Sequence, residues 1–161
     1  MSFVRQARDL LALDMPDHRV LEVGSCNVNG SVRELFGMAG EYIGIDIEDG
    51  PGVDQVVSSH ELIHTFGYVS FDVVLCCEML EHDSDPWLTM EQMWAVLKPG
   101  GFAVVTARGN GFHHHNPPDR WRFLPDGFQA LFDGAGFHTR LITEDWQAPG
   151  LFAIVEKLQW P

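Results

Sequence analysis

Apolar and polar positions alternate along the chain in a pattern that predicts strands separated by helices. Short apolar runs end in glycine or in acidic residues, which is typical of strands buried on both faces of a parallel sheet. The predicted strands are His18 to Val23, Glu41 to Ile47, Val53 to Val57, Phe71 to Cys77, Phe102 to Ala107, Thr139 to Glu144 and Phe152 to Leu158.

Helices are predicted from apolar residues three and four positions apart and from local start and stop signals. Ser31 with Glu34, and Ser58 with Glu61, match the capping box that opens a helix. The predicted helices run over residues 3–14, from Ser31 to about Gly37, from Ser58 to Phe66, from Asp85 to Leu97 and from Asp126 to Ala135. Strands that alternate with helices in this way predict an α/β fold with a doubly wound, mainly parallel sheet.

In such a sheet, ligands bind at the carboxyl ends of the strands, near the point where the strand order reverses. The first predicted strand ends in Glu22 and Gly24, the second carries Asp46, and the fourth is followed by Glu78. Asp46 lies about 20 residues beyond the glycine loop, where a carboxylate would bind a ribose diol. These residues therefore predict a site for a nucleoside-bearing ligand.

Two classes of nucleoside ligand compete for this site: a dinucleotide and a sulfonium nucleoside. The dinucleotide fingerprint GxGxxG is absent, because Gly24 to Gly30 has glycine only at its first and last positions. A pyrophosphate is repelled by nearby carboxylates, whereas a positive sulfonium and ammonium are attracted by Glu22 and Glu78. Charge therefore favours the sulfonium nucleoside.

Length and composition limit the remaining possibilities. A chain of 161 residues with 45% apolar content can bury one core, so one domain is expected over residues 1–161. The apolar runs are shorter than a membrane span needs, and three cysteines without CxxC spacing fit a reducing cytoplasm. The net charge of −13 argues against a nucleic-acid partner. A homodimer and a monomer both stay open.

Five stretches of the sequence together resemble one protein family, and the resemblance extends over nearly everything from Val20 to Glu156. They are VLEVGSCNVNGS, YIGIDIEDGPGVD, FDVVLCCEMLEHDSDPW, LKPGG and HHNPPDRWRF. In this order and spacing the chain resembles the class I S-adenosylmethionine-dependent methyltransferases, in particular their small type 11-like domains. The resemblance implies a Rossmann-like, seven-strand sheet whose last strand is antiparallel, and S-adenosyl-L-methionine as cosubstrate.

The resemblance also implies roles for residues that match the family's motifs. Glu22, Gly24 and Ser25 would surround the methionine end of the cosubstrate. Asp46 would accept both ribose hydroxyls, and Ile47 would flank the adenine.

The chain departs from the family in two places. Family members often carry an acid near the end of the third strand that meets the adenine amine, whereas this chain reads Val57 to His60 there. Ser58 is therefore either a ligand contact or only a helix cap. The usual second glycine of the first loop is replaced by Cys26 or Asn27, depending on the alignment.

Methyl transfer depends mainly on holding two reactants at attack distance, so a general base is optional. His82, with Glu81 before it, follows the fourth strand and is the best-placed candidate for a base. Both residues could instead hold the turn.

The acceptor-side loop is predicted over residues 108–123. Arg108, His114 and Arg122 are the candidates for binding the acceptor, and the arginines suit an anionic group. The run His113 to His115 is not predicted to bind a metal, because adjacent histidines on an extended chain point to alternating sides. Arg122 could instead pair with a nearby acid.

The sequence as a whole predicts a methyltransferase that acts by direct in-line transfer to a small-molecule acceptor. Its expected parts are an N-terminal helix, a nucleoside-binding core at 18–107, the acceptor-side loop, and a C-terminal helix and strands at 125–158. The alternative is a catalytically inactive nucleoside-binding or protein-interaction module on the same fold. No metal and no membrane partner is expected.

Overall fold

The computed structural model describes residues 1–109, 111, 117–145 and 150–159. Its strands are β1 (Arg19–Val23), β2 (Glu41–Asp46), β3 (Gln55–Val56), β4 (Phe71–Cys77), β5 (Leu97–Arg108), β6 (His138–Asp145) and β7 (Gly150–Glu156). Its α-helices are α1 (Ser2–Leu11), α2 (Leu62–Phe66), α3 (Pro86–Val96) and α4 (Pro125–Ala135). Two short 3-10 helices cover Arg33–Phe36 and Ser59–Glu61.

The seven strands form one sheet in the order β3-β2-β1-β4-β5-β7-β6. Pairs among β3, β2, β1, β4 and β5 are parallel, and β7 runs antiparallel between β5 and β6. This arrangement confirms the predicted doubly wound sheet with an antiparallel last strand. Because strand order reverses between β1 and β4, the carboxyl ends of these strands flank the crevice in which such folds bind ligands.

Side chains from alternate strand positions build one apolar layer on each face of the sheet. Leu21, Val74 and Cys76 belong to the layer that packs against α2, α3 and α4. Val20 and Leu75 belong to the layer that packs against α1 and the first 3-10 helix. Burial on both faces explains why these strands are nearly continuous apolar runs in the sequence.

Of the two helices predicted from capping boxes, the one from Ser58 to Phe66 is confirmed, because Ser58 caps helical turns over Ser59–Glu61 and Leu62–Phe66, whereas the one after Ser31 is shorter. Ser31 Oγ accepts the Arg33 N–H at 3.1 Å, but only one 3-10 turn follows. The Ala39 N–H donates to the carbonyl of Phe36 at 3.4 Å, three residues back instead of the four of an α-helix, while the carbonyl of Leu35 accepts Arg8 Nη1 at 2.7 Å. Helix α1 ends at Leu11, three residues before its predicted end, because Ala12 takes a left-handed conformation.

In the described part of the chain, every helix is too short or too polar to span a bilayer.

Candidate functional site

The candidate site lies where the carboxyl ends of four neighbouring parallel strands meet. The order β2-β1-β4-β5 brings Asp46, Glu22, Glu78 and Arg108 to the same edge of the sheet. Asp72, by contrast, lies near the start of β4 at the opposite edge, where both of its oxygens accept hydrogen bonds from Lys98 Nζ. The strand order thus separates the acids at the ligand-binding edge from a structural ion pair.

The loop after β1 folds onto β2 through backbone hydrogen bonds. The N–H groups of Gly24 and Ser25 both donate to the carbonyl of Ile45 at 2.9 Å, and the Asn27 N–H donates to Pro51 at 2.7 Å. Gly24 has a φ of 80°, which glycine adopts without strain. The loop is therefore fixed against the turn that follows β2.

Asp46 closes β2 with its carboxylate held by two backbone donors. Oδ1 accepts the N–H of Ile47 at 2.7 Å, and Oδ2 accepts the N–H of Cys26 at 3.1 Å. Each carboxylate oxygen accepts more than one hydrogen bond, so both can still bind hydroxyl groups. The Ile47 side chain beside it is 70% exposed.

Ser25 is buried, and its Oγ has no hydrogen-bond partner among the described residues. Gly44 lies beneath it, where an added Cβ would come 2.7 Å from Ser25 Oγ. The unpaired hydroxyl is a polar group that a ligand at this loop could satisfy.

Glu22 lies at the penultimate position of β1 and is only 5% exposed. Its Oε2 accepts a hydrogen bond from the Tyr42 hydroxyl at 2.7 Å. Burial raises the pKa of Glu22, whereas the Tyr42 hydrogen bond and the charge of Arg33 act in the opposite direction.

Glu78 and Arg108 form an ion pair across the ends of β4 and β5. Arg108 Nε lies 2.9 Å from Glu78 Oε2, and Glu78 Oε1 accepts the Thr106 hydroxyl at 2.9 Å. Glu78 has a left-handed φ of 53°, which is uncommon for a residue other than glycine. Glu78, predicted to bind the cosubstrate, is thus paired with Arg108, predicted to bind the methyl acceptor.

Ser58 follows β3, and its Oγ accepts the His60 N–H at 3.2 Å. This contact caps the second 3-10 helix, so the hydroxyl has a structural use whether or not it also contacts a ligand.

Glu81 is a buried acid in the turn after β4. Burial, followed by the charge of Glu78, raises the pKa of Glu81 to about 7, while backbone N–H groups of Glu81 and Arg108 limit the rise. Its Oε2 is buried without a hydrogen-bond partner among the residues that the structure describes. Glu81 can therefore change its protonation state near neutral pH.

His82 is held with one ring nitrogen against the acceptor-side segment. Its Nδ1 lies 3.1 Å from the carbonyl of Pro118 and 3.6 Å from Asp119 Oδ1. A carbonyl can only accept, so the neutral ring carries its proton on Nδ1 and has a lone pair on Nε2. Nε2 lies 3.9 Å from Glu81 Oε1.

Backbone and side-chain hydrogen bonds fasten residues 117–123 to the turn after β4. The N–H groups of Arg120 and Trp121 donate to the carbonyl of Glu81 at 2.7 and 3.1 Å. Arg122 forms an ion pair with Asp119, which agrees with the alternative prediction that it pairs with a nearby acid. The other predicted acceptor-binding residue, His114, lies outside the described residues.

Three residues that the sequence reasoning missed connect the site. Tyr42 donates to Glu22, Asp119 lies beside His82, and Asp83 accepts from both the ring Nε2 of His60 at 2.8 Å and the Thr89 hydroxyl. All three lie within the stretches that resemble the family, but their partners are 20 to 37 positions away, apart from the local Thr89, so the stretches do not show these pairings.

A family described as "Methyltransferase domain" has a model that matches residues 21–105, more than half of the chain. The chain belongs to this family. The match covers β1 through most of β5 and therefore includes the acids at the ends of β1, β2 and β4.

Curated relatives of the methyltransferase domain carry the name ubiquinone biosynthesis O-methyltransferase. The protein from Hahella chejuensis is 32% identical over 115 residues, which are 61% of this chain and 48% of that protein. The one from Bordetella bronchiseptica is 34% identical over 102 residues, 55% of this chain and 42% of that protein. The chain thus spans about half the length of the curated relatives it matches.

Solved structures share the fold of the methyltransferase domain at low identity. A 1,6-didemethyltoxoflavin-N1-methyltransferase from Burkholderia thailandensis, crystallised with S-adenosylhomocysteine, has a TM-score of 0.76 at 18% identity, covering 98% of this chain and 79% of that one. A putative sarcosine dimethylglycine methyltransferase from Galdieria sulphuraria has a TM-score of 0.80 at 10% identity, covering 98% and 84%.

The residues at this edge fit the S-adenosyl-L-methionine used by this class of methyltransferase. Asp46 can accept hydroxyl groups, Ile47 offers an uncovered apolar surface beside it, and Ser25 has an unsatisfied buried hydroxyl. Glu22 and Glu78 supply negative charge for its ammonium and sulfonium groups.

Gly24→Ala should destabilise the domain by more than about 2 kcal/mol. A left-handed conformation costs a residue with a Cβ roughly 1–2 kcal/mol, and the added carbon would lie 2.7 Å from Met79 Cβ. Gly127→Ala is the matched control, because a Cβ there meets nothing within 4 Å. Urea unfolding measures both changes. Equal stability of the two variants would contradict the strain assigned to Gly24.

Glu81→Gln should gain stability relative to the native protein as pH rises through about 7. The unfolded carboxyl ionises near its ordinary pKa of 4.5, whereas the folded one holds its proton to about 7, so raising the pH through this window costs native stability. Glutamine has no such cost. Urea unfolding at pH 5 and pH 8 measures the effect, with the exposed Glu91→Gln as control. If both variants show the same pH dependence as the native chain, the buried acid is not the source.

Proposed function

We propose that the domain transfers a methyl group from S-adenosyl-L-methionine to a small-molecule acceptor, with oxygen as the favoured acceptor atom. The observation that carries the proposal is Asp46, whose carboxylate is oriented by two backbone N–H groups beside the exposed Ile47. A fixed hydroxyl acceptor next to an uncovered apolar side chain suits a ribose joined to an adenine.

The charge of the site supports a cationic donor rather than a phosphate-bearing cofactor. Glu22, Asp46 and Glu78 lie at one edge, and burial raises the pKa of Glu22, as expected where negative charge is poorly solvated. A sulfonium and an ammonium group relieve that repulsion, whereas a pyrophosphate would add to it. When bound, the sulfonium supplies an electrophilic methyl group.

His82 is the residue we propose as general base for a hydroxyl acceptor. Its Nδ1–H is directed at Pro118, so Nε2 is the nitrogen that can take the proton from the acceptor. The Asp119 carboxylate, 3.6 Å from Nδ1, favours the imidazolium that results. The acceptor oxygen would keep the electron pair with which it bonds to the methyl carbon, and the bond from that carbon to the donor sulfur would break with its electron pair on sulfur, which leaves as a neutral thioether.

The names of the relatives and the exposure of Arg108 support the proposed acceptor class. The curated relatives are named as O-methyltransferases, which makes oxygen the first acceptor atom to test. The guanidinium of Arg108 is about half exposed although it pairs with Glu78, so an anionic acceptor can compete for it. Arg122 is a weaker candidate because it is largely buried against Asp119.

The experiment for donor binding is calorimetry with S-adenosyl-L-methionine on the native chain and on Asp46→Asn. The variant replaces one acceptor oxygen with an amide donor, so its dissociation constant should rise at least tenfold, about 1.4 kcal/mol. Asp126→Asn, an exposed change in the first turn of α4, should bind as the native chain does. Unchanged binding by a folded Asp46→Asn variant would overturn the assignment.

His82→Asn should lower turnover by about 10²-fold or more and leave donor affinity within a factor of two. Methyl release is measured on a panel of hydroxyl, amine and carbon acceptors, and the exposed His64→Asn variant is the matched control. Equal losses in turnover and affinity would assign His82 to structure instead. Donor binding by the native chain without turnover on any acceptor would favour the non-catalytic module.

A further inference from the structure

Tyr42 on β2 reaches diagonally to the carboxylate of Glu22 on the neighbouring strand β1. In the parallel register of β1 and β2, Val20 lies opposite Tyr42 and Glu22 lies opposite Gly44. A diagonal neighbour is within reach only of a long side chain. The Tyr42 hydroxyl covers this distance and donates to Glu22 Oε2 at 2.7 Å.

The Tyr42 ring is fixed in this orientation by its own neighbours. The Arg33 guanidinium lies 4.6 Å from the ring centroid, and the Phe36 ring lies 6.0 Å away. Arg33 is itself paired with Asp54, and Asp54 Oδ2 accepts the Gly44 N–H at 2.7 Å. The protein's own contacts therefore hold the hydroxyl toward Glu22.

The hydroxyl keeps its proton throughout the physiological range. Burial, and then the negative charge of Glu22, raise the pKa of Tyr42 far above its ordinary value. The other titratable or charged groups that interact with Glu22 are Arg33, Asp46, Asp54 and Cys77. Burial raises the pKa of the Cys77 thiol to about 12, so this neighbour is neutral as well. Tyr42 and Arg33 are the members of this set that favour the ionised carboxyl.

We propose that Tyr42 is a positioning residue for donor binding, which keeps the Glu22 carboxylate ionised and oriented for the ammonium group of the donor. This inference rests on the proposed function and adds to it a residue that need not contact the donor. A donor site at the end of a buried strand needs a carboxylate that stays charged despite burial. The hydrogen bond from the neutral Tyr42 hydroxyl stabilises the charged carboxylate. Because the hydroxyl carries no charge, it does not compete with the positive charge of S-adenosyl-L-methionine.

The test is the pH dependence of S-adenosyl-L-methionine binding to the native chain and to Tyr42→Phe, measured by calorimetry. Affinity falls as pH drops through the pKa of Glu22, because a protonated carboxyl no longer attracts the ammonium. Removing the hydroxyl raises that pKa further, so the fall should begin about one pH unit higher. At pH values below the native pKa of Glu22, the variant should bind about tenfold more weakly than the native chain. At pH values above the pKa of Glu22 in the variant, the two affinities should approach each other.

Three comparisons make the outcome decisive. Tyr68→Phe, at the chain's other and exposed tyrosine, should follow the native pH profile. Glu22→Gln should remove this part of the pH dependence, and adding Tyr42→Phe to it should cost little more. The carbon-13 signal of the Glu22 carboxyl in the ligand-free protein should titrate at a higher pH in Tyr42→Phe than in the native chain.

The phenylalanine variant keeps the ring that packs against Arg33 and Phe36, so it retains those contacts. An affinity loss that is constant at all pH values, or an unshifted carbon-13 titration, would overturn the role of Tyr42 and leave donor binding intact. Native protein that fails to bind the donor at any pH would overturn the proposed function, and with it this inference.

Discussion

The candidate site depends on one constraint: three acids at the ends of neighbouring strands, of which Glu22 is buried, must be stabilised without enough cations to pair with each of them. Glu22 receives the Tyr42 hydroxyl, Asp46 receives two backbone N–H groups, and Glu78 shares Arg108 and the Thr106 hydroxyl. Each of the three acids therefore accepts at least one hydrogen bond from a neutral donor. These donors reduce the cost of burial but leave the negative potential in place.

This difference between neutral donors and cations determines what the edge can bind. An arginine beside each acid would cancel its field, whereas a hydroxyl or an N–H group orients the carboxylate and leaves its charge available to a ligand. Glu81 shows the limit of the arrangement, because burial beside Glu78 raises its pKa to about 7. A cation brought to this edge relieves repulsion among several acids at once, and an anion increases it.

The sheet and the acidic residues at its ligand-binding edge could be predicted because both depend on the order of neighbouring residues in the sequence. Buried parallel strands are continuous apolar runs, so Phe71–Cys77 was predicted at the bounds that the structure has. Asp46 follows such a run directly. The two capping boxes differed in outcome: Ser58 opens helical turns that run to Phe66 as predicted, whereas the helix expected after Ser31 is one 3-10 turn.

The connections between the acids could not be predicted in the same way. Tyr42 meets Glu22 only because β1 and β2 are paired with Glu22 opposite Gly44, and strand register is not visible in one sequence. His82 was predicted as a candidate, but its nearness to Asp119 depends on how a segment 37 residues later folds back. The sequence indicates which residues reach the edge, and tertiary pairing decides how their charges are arranged.

The same long-range contacts join the donor-side and acceptor-side parts of the edge. Asp83 is buried in the turn that carries Glu81 and His82, and it accepts hydrogen bonds from His60 and Thr89. Its carbonyl accepts the indole N–H of Trp121 at 2.7 Å. Three segments meet here: the one that carries His60, the turn with Glu81 and Asp83, and residues 117–123. If one of them moved alone, buried polar groups would lose their hydrogen bonds, at a cost of about 1–3 kcal/mol for each group. The three segments therefore form one rigid frame, which suits a reaction whose rate depends on holding two reactants at a fixed distance.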